Sequence, residues 1–177
     1  MVEAWRSVSM PDGVSVVRAN ILDLAADAIV SPANSFGFMD GGIDLAYSQR
    51  FGWGVQRDLQ SFIKQLSGEL LVGQTIVIST NDRSIPSLIS APTMRVPMQL
   101  FDGTNVYLAT RAAILTAKEC DFGSILMPGM GTGCGGLDCT VAAKAMRKGI
   151  FDAIHGLDFP QSWHEAAQSH ARQTGAV

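Results

Sequence analysis

The chain has 177 residues, 47% of them hydrophobic and 16% charged, with a net charge of −3. That length is one domain by the usual range of roughly 100–200 residues, and the composition is globular, which excludes intrinsic disorder, the state of weakly hydrophobic chains with high net charge. An isoelectric point near 5.5 excludes a generally basic, nucleic-acid-binding surface, and no apolar run reaches the ~18 residues that a membrane span requires.

Taken in chain order, short β-prone runs over 4–9 and 14–19 flank Pro11-Asp12-Gly13, where Pro presets φ and Gly tolerates a positive φ, so a hairpin or two adjacent strands are expected. Ala28-Ile29-Val30-Ser31 reads as a strand stopped by Pro32. A helix is expected from Ile43 to about Phe51. A second, from Val55 to Leu66, should carry Leu59, Phe62, Ile63 and Leu66 on one face. Thr75 to Ser79 and Leu88 to Ala91 read as buried strands, Asn105 to Lys118 as a helix, and Ile125 to Met127 as a strand stopped by Pro128. Cys139 to Ile154 and Gln161 to Arg172 are the last expected helices, with loops over 81–86 and 95–104. Strands alternating with helices predict an α/β layer sandwich, mostly parallel in its core.

The three cysteines, Cys120, Cys134 and Cys139, form no Cys-x-x-Cys and have no His at ligand spacing, which argues against a disulfide framework and against a metal site. Met1 to Gly13 has no basic-then-apolar leader, so a reducing, cytoplasmic setting is expected, with residues 1–177 as a single domain.

Two loops stand out. Ser31 to Asp44 and Met127 to Asp138 each follow a strand and precede a helix, and the second holds five glycines within residues 129–136. In parallel α/β sheets ligands bind beyond the carboxyl ends of the strands. Glycine there lets backbone N–H groups approach a phosphate, and helix N-termini add unpaired donors. Neither loop contains Lys or Arg, and the second is no Walker loop. Two such loops can grip a diphosphate from both sides.

At these residues the chain resembles the macro domain family. The stretch Asn20 to Asn34 lines up with the family's Gly-Asp-Ile-Thr followed by Val-Asp-Ala-Ile-Val-Asn-Ala-Ala-Asn. Gly41-Gly42-Ile43-Asp44 matches its next element, with Asp44 ten residues after Asn34. The run Pro128 to Gly136 is similar to its phosphate loop, and the resemblance spans about residues 14–154. It implies a three-layer α/β/α sandwich with a mixed, mostly parallel central sheet. ADP-ribose is the implied ligand or product, and an ADP-ribosylated macromolecule the implied partner. Neither a cofactor nor a metal is expected.

The same resemblance implies residue roles. Asn20 and Ile21 would contact adenine. Gly41, Gly42 and Ile43, with Gly129, Met130, Gly131, Thr132, Gly133, Cys134 and Gly135, would hold the diphosphate and distal ribose, and Leu137 would close the second loop. Asn34 and Asp44 inherit the catalytic roles of the branch that resembles MacroD proteins. Departures are the family's adenine-site Asp as Asn20, its first loop Asn as Ser31, and Asp40 and Leu45 at glycine positions. Leu137 replaces an aromatic. Asp138 fits a second macro branch, but that branch's Lys has no counterpart in Ser90-Ala91-Pro92-Thr93. The expected activity is hydrolysis of mono-ADP-ribosyl or O-acyl-ADP-ribose linkages; the alternatives are a binding module without turnover and a phosphatase acting on ADP-ribose 1″-phosphate. Two plainer roles stand beside these: Asp44 as a helix N-terminal acid, and Asn34 as a turn residue bonding its own backbone. Glutamate at Gly131 is expected to abolish binding without unfolding the domain.

Overall fold

The computed structural model describes residues 1–66 and 68–174. In chain order they form α1 (Val2–Ser7), a 3-10 turn (Ile21–Asp23), β1 (Ala28–Ser31), α2 (Gly42–Phe51), α3 (Gly54–Leu66), β2 (Ile76–Ser79) and β3 (Ser87–Ser90). Next come α4 (Thr104–Glu119), β4 (Ile125–Leu126), α5 (Cys139–His155) and α6 (Trp163–Thr174). The sheet order is β2-β3-β1-β4, with β1 parallel to β3 and β4 and β2 antiparallel to β3.

Alternate residues of the central strand point to opposite faces, and each face is apolar. Ala28 and Val30 join a cluster covered by α4 and α5, with Ile89 of β3, Val106, Ala109 and Met146. Ile29 joins the other cluster, with Leu88, Tyr47 of α2 and Leu59 and Ile63 of α3. The result is a three-layer α/β/α sandwich with a mixed, mostly parallel sheet. Fully burying side chains such as Ile29 and Leu88 stabilises it by about 1.5–3 kcal/mol each. Helices α4 and α5 cross closely because Gly149 has no Cβ; one built there would stand 2.8 Å from the Tyr107 carbonyl oxygen.

Three expectations differ from the structure. The first β-prone run is the helix α1, and residues 14–19 form no strand. The turn between them does form, with the Val14 N–H donating to Pro11 O. Helix wins because Met1 and Trp5, one turn apart, both pack against the α4–α5 cluster. The buried stripe of α3 is Val55, Leu59 and Ile63, whereas Phe62 and Leu66 are 49% and 62% exposed. β2 is a half-buried edge strand rather than a buried one. Among the described residues no helix is long and apolar enough to cross a membrane.

Candidate functional site

The three parallel strands end at the same edge of the sheet, so the chain leaves β1, β3 and β4 through three neighbouring loops. The register Ala28↔Ile125 and Ile29↔Leu126 sets the loop after Ser31 beside the loop after Leu126. The loop after β3 ties them together. Ser35 N–H of the first loop donates to Met94 O and Arg95 O at 3.2 and 3.1 Å, and Leu100 N–H donates to Gly135 O of the second at 2.8 Å. This third loop carried no expected function, because backbone ties have no residue signature.

The first loop is shaped by Asn34. Its Nδ2 donates to Phe38 O (2.8 Å), and its Oδ1 accepts from Phe36 N–H (3.1 Å) and Phe38 N–H (3.3 Å). The plainer role weighed for Asn34 is therefore present, and one amide proton is left for any ligand. Gly37 stands at φ +66° with its α-carbon against Leu59 and Ile63, which presses the loop onto α3.

Gly41 caps α2 with no side chain to accept from the first turn, so the N–H groups that follow it have no side-chain cap. Gly41 and Gly42 have open space where a Cβ would stand. The contrast with α5 decides which helix end can take an anion. There Asp138 Oδ1 accepts from Thr140 N–H (2.8 Å) and Val141 N–H (3.1 Å), which also holds its carboxyl below the usual range. Asp138 is thus a helix cap.

Asp44 lies in the first turn of α2, 7% exposed. Ser31 Oγ, fully buried at the end of β1, donates to its Oδ1 at 2.6 Å. Burial pushes the Asp44 carboxyl up to about 6, against the opposing pull of that hydrogen bond. Tyr47, one turn on, is pushed up as well, by its own burial and then by the Asp44 charge, and donates to Val30 O. The Ser31–Asp44 bond escaped the sequence reading; its only trace was Ser31 standing where the family carries Asn.

The second loop is divided between structure and openness. Gly131, at φ +74°, would place a Cβ 2.6 Å from Val106 Cγ2, and Gly135 would place one 2.5 Å from Gly131 O, so both are glycine for packing. Gly133 has open space there, and the α-carbon of Gly129 lies under the Met1 side chain. Met130 is fully buried, with Thr110 Oγ1 donating to its sulfur, and Leu137 packs in the core while its N–H donates to Gly131 O. Neither presents a side chain to a ligand, so the part of Met130 that the loop can offer one is its main chain. Thr132 is partly exposed and Cys134 exposed. Asn20 is exposed, its Oδ1 accepting from Leu22 N–H at the 3-10 turn, with Ile21 packed against the α2–α3 cluster. No group of three or more potential metal ligands occurs among the described residues.

The sequence profile described as "Macro domain" matches residues 30–146. An uncharacterized protein of Aquifex aeolicus is 37% identical over 75% of this chain and 78% of its own length. An O-acetyl-ADP-ribose deacetylase of Salmonella gallinarum is 26% identical over 92% of this chain and 94% of its own. The macrodomain of Mycobacterium tuberculosis DarG superposes with a TM-score of 0.68 at 22% identity, covering 82% of this chain and 96% of that one. With a profile over more than half its residues and the loops, helix ends and sheet order described above, the chain belongs to the macro domain family.

Proposed function

We propose that this protein binds ADP-ribose across the three loops and hydrolyses mono-ADP-ribosyl or O-acyl-ADP-ribose linkages, in the manner of the MacroD-type branch. The observation that carries the reading is the Asp44 carboxylate: buried, held at one oxygen by Ser31, and set in the first turn of a helix whose N-terminus is open. The deacetylase similarity supports the substrate class.

The diphosphate would lie at the N-terminus of α2 and along the second loop, taken by backbone N–H groups and the helix dipole. Asn34 supports the distal ribose chiefly through the loop it shapes. A carboxyl pushed up to about 6 is mostly ionised at neutral pH yet basic enough to take a proton. A water on Oδ2 would pass its proton to Asp44 as its oxygen bonds to the ribosyl or acyl carbon; the bond to the leaving group breaks, and that group takes up a proton.

Calorimetry with ADP-ribose and ADP, followed by incubation with mono-ADP-ribosylated protein and O-acetyl-ADP-ribose, tests both halves. Tighter binding of ADP-ribose than of ADP and release of free ADP-ribose are expected. Equal affinities would move the distal ribose out of the site. Binding without turnover on any substrate would leave a recognition module, the reading that the self-bonded Asn34 favours.

A further inference from the structure

The α2–α3 face of the sheet is apolar at Ile29 and Leu88 and turns polar one step beyond, at the strand ends. Ser31 and Ser90 are register partners on β1 and β3 and share that face. Both are fully buried, and Ser90 Oγ has no hydrogen-bond partner. Two buried hydroxyls, one unsatisfied, are a poor choice for packing alone, since an apolar side chain of the same size avoids desolvating a polar group. The Ser31 hydroxyl has one proton, and it goes to Asp44 Oδ1 at 2.6 Å.

We propose that Ser31 is the positioning residue of Asp44: its hydroxyl ties Oδ1 to the end of the sheet, fixes the carboxylate plane, and leaves Oδ2 as the single oxygen that meets a bound water. The inference rests on the reading that Asp44 acts on such a water. With Oδ1 tied, the carboxylate cannot rotate to present either oxygen, so the water has one place to sit relative to the ribose. The same bond favours the charged form of Asp44 against its burial.

Among the described residues, the charged and titratable groups of the neighbouring elements are engaged elsewhere or exposed. Tyr47 on its own helix donates to Val30 O, and Arg50 pairs with Asp82 at 2.8 Å. Asp40, before the helix, is exposed, as are Arg57, Asp58 and Lys64 of α3. β1 and β3 contribute no charged residue.

The test begins without substrate. The Asp44 side-chain carboxyl is titrated by carbon NMR in the ligand-free protein, with Asp44→Asn identifying the resonance. Ser31→Ala and Ser31→Cys should each raise the midpoint by about one to two pH units, since a hydrogen bond to a charged group distinguishes the two protonation states by roughly that much. Ser31→Thr, which keeps the hydroxyl, should restore it, and Ser90→Ala should leave it in place. The acid limb of kcat/KM for ADP-ribose release should move by the same amount in Ser31→Ala, with kcat falling and KM little changed. An unmoved midpoint in both Ala and Cys variants, or equal behaviour of Ala and Thr, overturns the proposal. A midpoint that moves in a protein that turns nothing over overturns the hydrolytic reading instead.

Discussion

Replacing Asp44 by Asn isolates what the buried charge does to stability. Asn keeps an acceptor oxygen for Ser31 and removes the ionisation; its amide donors add a contribution that does not vary with pH, so the pH dependence isolates the charge. The carboxyl is raised from its ordinary 3.8 to about 6 in the folded chain. Below that window both states hold the proton, and Asp and Asn are equivalent in charge. As pH rises through it, the unfolded chain releases its proton while the folded chain retains it, so the free energy of unfolding falls; above about 6 the loss is complete. Roughly two pH units at 1.36 kcal/mol each give about 3 kcal/mol. Urea unfolding of both proteins at intervals between about pH 4 and pH 8 measures this, and subtracting one from the other cancels every other titration. Asp44→Asn should gain steadily on the wild type and level off, reaching about 3 kcal/mol near neutrality, while losing hydrolysis. A difference that stays flat, or one that favours the wild type as pH rises, would refute burial as the dominant influence on Asp44.

Three further substitutions follow from the loops. Gly133→Glu should fold normally and weaken ADP-ribose binding at least about tenfold in calorimetry, because its Cβ meets open space but its charge opposes a diphosphate. Gly131 is the wrong place for that experiment: even Gly131→Ala should lower stability in urea by about 1–3 kcal/mol, from a positive φ and a 2.6 Å approach to Val106. Asn34→Asp cannot donate to Phe38 O and should cost about 1–3 kcal/mol of stability with a parallel loss of ADP-ribose affinity; unchanged calorimetry would show that the loop does not need that bond.

Most helices and strands were legible because their apolar spacing and their stops, Pro32, Pro128 and the capping Asp138, lie within a few residues of the chain they shape. α1 was not, since its helix depends on Met1 and Trp5 finding a surface built by α4 and α5, more than a hundred residues away. The Ile-Val-Ile-Ser of β2 reads the same for a central parallel strand as for an antiparallel edge; only pairing decides. In the site, the glycine loops could be read from the sequence itself and Asp44 from the family resemblance. What they do could not: Gly131 and Gly135 answer to Val106 and to each other, and Asp44 answers to Ser31, thirteen residues away along the chain. Most of the long-range hydrogen bonds that join the loops run through main-chain atoms, which every residue carries; Thr93 Oγ1 donating to Pro32 O is a side-chain exception.

The ties at Asn34 also bear on how the molecule ages. An Asn followed by a small residue, as in Asn34-Ser35, is where a chain loses ammonia: the next backbone nitrogen attacks the side-chain carbonyl, and a ring forms that reopens to Asp or its isomer. The Ser35 nitrogen is here engaged with Met94 O and Arg95 O, and the Asn34 amide is pinned at both ends by Phe36 and Phe38. Attacking atom and target are held by different partners, so the fold protects the Asn that its sequence leaves most vulnerable. A completed reaction would leave a permanent negative charge in the loop that the proposed function sets beside the diphosphate. The bonds that give the loop its shape thereby also hinder this reaction at Asn34.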